Sequence, residues 1–371
     1  MKKVLTKGQG SGFRIQGSDA ARQVLTDAIA AKVFPGATLD VGNSDGPLWQ
    51  DALGTFSFGG GAASPVAPVG PVGLDTPFDL ASLTKPIVTA TVFMQLVDAG
   101  AVALGERVSA GFPEWTGRDR AGATVADLLE HASGLSTRLL DAPPSSRREF
   151  EHDICALPLE YVPRTRSLYS DLGFILLGFL AADRGNAPLA AQFDAIAETL
   201  ALDLTFARSG HNRRRAAPTT ALPEDVRRGR VLVGEVHDNY AAALGGAAGH
   251  SGLFGTAPAV AAFARAVLKA ARGDENVPAP FTPALVRRFT TRSLVSGSSR
   301  ALGWDTMLAT SSCGTRMSAS AFGHVGFTGT SLWIDPERDR YFVLLTNRAH
   351  GGGPLDQMRT VRRAFHDAIE P

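Results

Sequence analysis

The sequence predicts an α+β fold: an antiparallel sheet built from both termini, flanked by helices, with a helical domain inserted between. Three observations predict it. Strand-like runs lie near both ends of the chain, the long middle reads as helices broken by loops, and consecutive strands are joined by turns too short for a parallel crossover. The 371 residues suffice for one large domain or two ordinary ones. The expected division is an α/β domain from residues 1–98 and 254–371, split by a mainly helical domain over residues 99–253.

Ala21, Val24, Leu25, Ile29 and Val33 recur at helical spacing, which predicts a helix from a Ser18 or Asp19 cap to about Lys32. Ala37–Val41 and Leu48–Phe58 follow as strands across the turn Asn43-Ser44-Asp45-Gly46. Residues 59–73 are mostly Gly, Pro, Ala and Val without charge, and read as a loop. Leu83 to about Asp98 is apolar on nearly every side, so that helix is expected to be buried. Residues 99–235 read as short helices without strands, with an Arg-rich stretch at 211–215. Thr256 is placed to cap a helix running to about Arg272. Val325–Asp335 and Tyr341–Asn347 read as two strands joined by Pro336-Glu337-Arg338-Asp339, and Pro354 opens a closing helix over Leu355–Ile369. No internal repeat is present.

Apolar residues make up 44% of the chain and charged residues 20%, the profile of a soluble globular protein. Lys plus Arg number 37 and Asp plus Glu 36, for a net charge of +1. Without a basic excess, neither nucleic acid nor an anionic membrane is an expected partner. The longest nearly unbroken apolar run, Phe174–Ala182, is too short to span a bilayer. Cys155 and Cys313 form no metal or redox spacing, and no carboxylate–histidine spacing typical of metal sites occurs, so neither a metal nor another cofactor is expected. Lys2, Lys3 and Lys7 lead into a polar, Gly-rich stretch without an apolar core, and the expected location is the cytoplasm. Nothing in the sequence sets an oligomeric state.

Three short segments carry chemistry. In Phe78-Asp79-Leu80-Ala81-Ser82-Leu83-Thr84-Lys85, one helical turn puts Ser82 and Lys85 on the same face. A serine hydroxyl is a poor nucleophile until a base takes its proton, and a lysine of depressed pKa can be that base. Tyr169, in Leu168-Tyr169-Ser170-Asp171-Leu172-Gly173, precedes an apolar run, where a tyrosine is commonly a core residue with a satisfied hydroxyl. Gly323-His324-Val325-Gly326-Phe327-Thr328-Gly329-Thr330 has glycines that permit close approach of a ligand or another backbone. Each alone is a weak signal.

Together, in this order and separation, they resemble the serine β-lactamase and penicillin-binding-protein superfamily, in particular the branch of class C β-lactamases and related carboxylesterases. That family carries Ser-x-x-Lys, Tyr-x-Asn and Lys-Thr-Gly on a strand; the class A set is a variant of the same theme. Thr124–Leu135, Gly234–Asp238 and Gly245–Phe254 are similar to further segments of the family, so the resemblance covers roughly residues 20–368. It implies the β-lactamase/transpeptidase-like fold, with Ser82 as the acylated nucleophile, Lys85 as its proton acceptor and Tyr169 shuttling a proton to the leaving group. It also implies an oxyanion hole from the backbone N–H groups of Ser82 and Phe327. His324 stands with the catalytic side chains, and Asp171, Val325 and Gly326 with the substrate-binding positions.

Two positions depart from the family pattern. His324-Val325 replace Lys-Thr, so a permanent charge and a hydroxyl are lost, which weakens carboxylate recognition about tenfold to a hundredfold and disfavours carboxylate-bearing substrates. If His324 acted through its charge, activity on anionic substrates would rise below pH about 6.5. Asp171 replaces Asn, and a carboxylate beside Lys85 would raise the lysine's pKa against the base role. Asp171 therefore either points elsewhere or receives a cationic or hydroxyl group of the substrate. His-x-Gly also occurs in a D-stereospecific aminopeptidase branch of the family. His131, His237-Asp238 and His250 are expected to be structural, and Trp304 to pack under the sheet.

The function these readings imply is a serine hydrolase acting through a Ser82 acyl-enzyme on a small ester or amide, most simply a carboxylesterase on short-chain esters. The alternatives are an amidase or peptidase on D-amino-acid, muropeptide or β-lactam substrates, and a non-catalytic binding or scaffold protein on the same fold.

Overall fold

The computed structural model describes residues 15–59, 65, 67–139, 143–206, 215–223, 225 and 228–369. Helix α1, Ser18–Ala30, leads into strands β1, Gly36–Gly42, and β2, Pro47–Gly54. Near the other end, β3 (Asp305–Thr306), β4 (Phe322–Val325), β5 (Ser331–Asp335) and β6 (Arg340–Thr346) complete one six-stranded sheet of order β2-β1-β6-β5-β4-β3. Every neighbouring pair is antiparallel, and the first and last parts of the chain meet where Leu39 faces Leu344. The predicted sheet from both termini is therefore present.

Side-chain alternation tells the two faces of this sheet apart. Tyr341, Val343 and Leu345, with Leu332 and Ile334, join the larger core, which also holds helices α2 (Thr91–Asp98), α3 (Asp171–Gly185) and α4 (Ala257–Ala271). Phe342, Leu344 and Trp333 point the other way, into a smaller core shared with α1 and the closing helix α5, Leu355–Ala368. Both faces are covered, which is why every residue of β1 is buried. No described helix is long and apolar enough to cross a membrane, and Cys155 and Cys313 are free and buried.

Several expectations are corrected. The α1 cap is Gly17, not Ser18 or Asp19: at φ 85 a side chain there would lie 2.1 Å from the Ala368 carbonyl oxygen. Strand β2 stops at Gly54, because a Cβ there would lie 2.2 Å from the Pro35 carbonyl oxygen and the chain turns at φ 76. The helix expected from Leu83 is a 3-10 turn, Ala81–Leu83, and a π-helical stretch, Lys85–Ala90, that runs into α2. Two-residue strands do occur within 99–235, at Leu204–Thr205, Thr219–Thr220 and Val231–Leu232. The single strand expected over Val325–Asp335 is instead the end of β4, a turn and β5, with Val325 facing Ser331 across the hairpin. Thr256 caps α4 as expected, its side chain accepting from the Ala259 N–H. Residues 60–64 and 66 of the loop at 59–73, and 211–214 of the Arg-rich stretch, lie outside the described residues.

Candidate active site

The nucleophile segment is held by the strand before it. Phe78–Asp79 pairs with Phe254–Gly255, and the buried Asp79 carboxylate accepts from the Ala81 N–H at 2.8 Å and the His237 N–H at 2.6 Å. Burial pushes the Asp79 carboxyl up to about 6. Ala81 is forced to φ 49, a costly conformation for a residue with a Cβ, and the chain turns sharply there to present Ser82. Thr84 donates to the Ala81 carbonyl at 2.6 Å and locks that turn.

One turn on, Lys85 is fully buried, and its ammonium donates to Ser82 Oγ at 3.3 Å, Asp171 Oδ1 at 2.8 Å and the His250 carbonyl at 3.1 Å. The Tyr169 hydroxyl donates to Ser82 Oγ at 2.8 Å. The three residues singled out in two distant motifs thus meet at one oxygen. Burial opposes the charge on Lys85, but Asp171 and Tyr169 together outweigh it and the pKa is raised, which favours the ammonium. Burial also raises the Tyr169 pKa, Lys85 pulling against it.

Asp171 does not point elsewhere but lies beside Lys85 and raises its pKa, as expected of a carboxylate there. Its carboxylate faces Lys85 on one oxygen and Arg138 at 3.0 Å on the other. Against the penalty of burial, Lys85 keeps it ionised. Arg138 continues to Asp238 at 2.9 Å, and Asp238 to His250 Nε2 at 2.7 Å. Asp238 and His250 brace their own segments, Asp238 accepting from the Ala241 N–H at 2.8 Å and from His250, whereas the His237 ring stacks on Phe327; Asp238 also anchors Arg138, and the His250 backbone holds Lys85. His131 is a scaffold for Tyr169: its Nδ1 accepts from the Ser170 N–H at 3.0 Å and its carbonyl from the Leu168 N–H at 2.9 Å.

The turn between β4 and β5 closes the site from the other side. A side chain at Gly326 would lie 2.1 Å from Thr330 Oγ1 and 2.6 Å from the Leu80 carbonyl oxygen, so only glycine lets this turn press against the nucleophile segment. Thr328 and Thr330 fasten it there, donating to the Asp79 and Leu80 carbonyls at 2.7 and 3.0 Å. Behind it, Arg362 of α5 donates to the Gly326 carbonyl at 2.7 Å and the Thr330 carbonyl at 2.9 Å. The Gly326 carbonyl and the Phe327 N–H belong to one peptide group, so a cation on that oxygen makes the N–H a stronger donor. Burial, with Arg348 nearby, lowers the Arg362 pKa to about 9. Phe327 itself is exposed and stacks on His237 at 5.2 Å.

His324 is buried on β4, its ring centre 6.0 Å from that of Tyr169. Its Nδ1 is 2.9 Å from the Val325 carbonyl, which can only accept, so Nδ1 carries the proton and Nε2 is left without a partner. Burial first, then Arg300 and Lys85, hold the imidazole well below its ordinary pKa. It is neutral, and the charge-dependent role weighed from sequence is absent. Among the described residues no cluster of His, Cys, Asp or Glu is placed to hold a metal ion. Trp304 is buried against Phe322, 5.1 Å away and edge-on.

Sequence reasoning missed Arg138, Arg300 and Arg362. None lies at a spacing that marks chemistry. The contacts of Arg138 and Arg362 are with partners 33, 36 and 100 positions away, and Arg300 lies against Tyr169, contacts that only the fold creates.

A serine on a strained turn, a tyrosine hydroxyl on its oxygen and a buried ammonium beneath define the apparatus of a serine acyl-transfer enzyme. The comparisons with known proteins agree. The β-lactamase family model matches residues 21–366, and the chain belongs to that family. An N-acetylmuramyl-L-alanine amidase of Bacillus subtilis (strain 168) is 30% identical, the match covering 88% of this chain and 80% of the relative. A putative D-alanyl-D-alanine carboxypeptidase of Escherichia coli (strain K12) is 29% identical over 74% of this chain and 70% of its own. In fold, a penicillin-binding protein homolog from Caulobacter crescentus superposes with a TM-score of 0.73 at 20% identity, over 97% of this chain and 99% of the other.

Proposed function

We propose that the protein is a serine amidase that cleaves an amide between an acyl group and an amino acid, of the muropeptide kind, with short-chain carboxylic esters as a second substrate class. The observation that carries the reading is the Tyr169 hydroxyl at 2.8 Å from Ser82 Oγ, with the Lys85 nitrogen below it paired to the Asp171 carboxylate at 2.8 Å. Lys85 is then not the proton acceptor. As Ser82 Oγ attacks the carbonyl, Tyr169 takes the serine proton and passes its own to the departing nitrogen. The acyl-enzyme and the free amine result, and the proton count balances without another base. Lys85 stabilises the negative charge that passes through both oxygens, and the Ser82 and Phe327 N–H groups receive the oxyanion. Water then repeats the sequence in reverse, giving a proton to Tyr169 as Ser82 recovers its own.

An amine is a poor leaving group unless protonated, and an alcohol leaves with less help, so a site that protonates amines also cleaves simple esters. The curated relatives named as amidase and carboxypeptidase support placing amides first, where sequence alone favoured esters. The test is release of alanine from N-acetylmuramyl-L-alanine beside hydrolysis of p-nitrophenyl butyrate, each with wild type and Ser82→Ala. Serine-dependent turnover of both is expected. Turnover of the ester alone would return the carboxylesterase to first place, and turnover of neither would leave the non-catalytic scaffold.

A further inference from the structure

Two buried guanidinium groups hold the turn between β4 and β5 from behind. Arg362, on α5, is 3% exposed and donates to the Gly326 and Thr330 carbonyls. Arg348, just after β6, is 7% exposed; it donates to the Phe327 carbonyl through both Nε and Nη2, and to the Gly353 carbonyl at 3.1 Å. The two peptide groups on either side of the Phe327 Cα thus each carry a guanidinium on the oxygen. All the hydrogen bonds of both arginines among the described residues go to carbonyl oxygens. Neither pairs with a described carboxylate, and besides burial what acts on Arg362 is the like charge of Arg348. A buried cation ordinarily has a counter-charge, because burial without one is costly. Lys85, the buried cation on the other side of Ser82, has Asp171 at 2.8 Å. The Phe327 N–H, in turn, donates to no described residue.

We propose that Arg362, assisted by Arg348, is a positioning residue for the reaction: it charges the oxyanion hole from behind, and the counter-charge it lacks is the oxyanion itself. The Gly326 carbonyl and the Phe327 N–H are two ends of one peptide group, so a cation on the oxygen draws electrons from the nitrogen and strengthens its hydrogen as a donor. This arrangement exists before a substrate arrives, and nothing has to reorganise as negative charge grows on the carbonyl oxygen. Arg348 adds to the same field and restrains Phe327 through its other peptide group. An oxyanion forms in acylation and again in deacylation, whatever the leaving group. The effect of Arg362 therefore falls on amides and esters alike, unlike that of Tyr169. The inference rests on the acyl-enzyme reading above and goes beyond it in assigning oxyanion stabilisation to charges that act through the Phe327 peptide.

The test reads the carbonyl stretch of the acyl-enzyme by infrared difference spectroscopy, using p-nitrophenyl acetate labelled with carbon-13 at its carbonyl. A stronger oxyanion hole polarises that bond and lowers its frequency. Arg362→Met is expected to raise the frequency. It should also lower kcat about tenfold on p-nitrophenyl butyrate and on N-acetylmuramyl-L-alanine alike, with KM nearly unchanged; loss of a donor itself costs about 10²–10³. Arg362→Lys, which keeps the charge, should recover part of both changes, and Arg348→Met should move both in the same direction by less. Only folded, acylated molecules give the band, so a loss of stability does not imitate the shift. A band at the wild-type frequency in Arg362→Met, or activity lost through KM, would overturn the inference while leaving the hydrolase reading intact. Absence of both the acyl band and ester turnover in wild type would overturn both.

Discussion

The two sides of the site are built on opposite principles. On the side of Lys85, charge is paired in a row: Lys85, Asp171, Arg138, Asp238 and His250 alternate in sign or hydrogen-bonding role, each contact at 3.0 Å or less, and only the far His250 Nδ1 lacks a partner. On the side of His324, partners are missing. The His324 Nε2 and the Arg362 Nε have none, and Arg300 has a carboxylate only at 4.0 Å. The first arrangement fixes protonation states and positions Ser82 and Tyr169. The second leaves the His324 Nε2 acceptor unpaired and the Arg300 guanidinium with its nearest carboxylate, among the described residues, at 4.0 Å. Buried polar groups are ordinarily satisfied, so the unpaired atoms beside His324 set that side of the site apart from the paired side around Lys85.

The comparison can be broken first at Tyr169. Tyr169→Phe keeps the ring beside His131 and removes the one hydroxyl that reaches Ser82, so kcat on amides should fall about 10²–10⁴-fold. The loss should be smaller on esters with good leaving groups; an equal loss on both would deny Tyr169 the role of proton donor. Asp171→Asn removes the carboxylate that joins Lys85 to Arg138. Breaking a buried pair of this kind costs about 3–5 kcal/mol, readable as a lowered urea midpoint. An unchanged midpoint would mean that the charge chain is not holding the site together.

The smallest expected effect sharpens the other side. Because His324 is neutral well below its ordinary pKa, the ratio of rates on anionic and neutral substrates should stay flat between pH 8 and 6. A rise centred near pH 6.5 would restore the charged-histidine role weighed from sequence. Stability should nonetheless respond to acid. Burial lowers the pKa of His237 to about 4 and of His366 to about 3, so the folded state binds fewer protons than the unfolded one. Their contribution is present above pH about 6.5 and is lost as pH falls through those values. Asp79, raised to about 6 by burial, acts in the opposite sense: its contribution is present below pH about 3.9 and lost as pH rises through 6. A falling denaturation midpoint from pH 6.5 to 4 would show that the histidines outweigh it.

What was legible in the sequence follows from range. Ser82 and Lys85 lie three residues apart, and local geometry alone brings them together. The sheet from both termini was legible because strands alternate with period two and short turns impose antiparallel pairing. The β4–β5 turn was not, since apolar residues on both sides of Gly326-Phe327-Thr328-Gly329 make the stretch read as one strand. Two-residue strands such as Thr219–Thr220 are too short to show any period. Asp171 was read against the family's asparagine at one position, whereas its meaning depends on Arg138, which pairs with it only in the fold.

The central claim is that Ser82 becomes acylated with Tyr169, not Lys85, exchanging its proton. The most direct measurement is the intact mass of wild type, Ser82→Ala and Tyr169→Phe after rapid quenching from p-nitrophenyl acetate. The account predicts one added acetyl group on wild type, located at Ser82 by peptide mapping, none on Ser82→Ala, and slowed appearance on Tyr169→Phe. Acetylation of Ser82→Ala to the same extent, or a Tyr169→Phe rate equal to wild type, would contradict it.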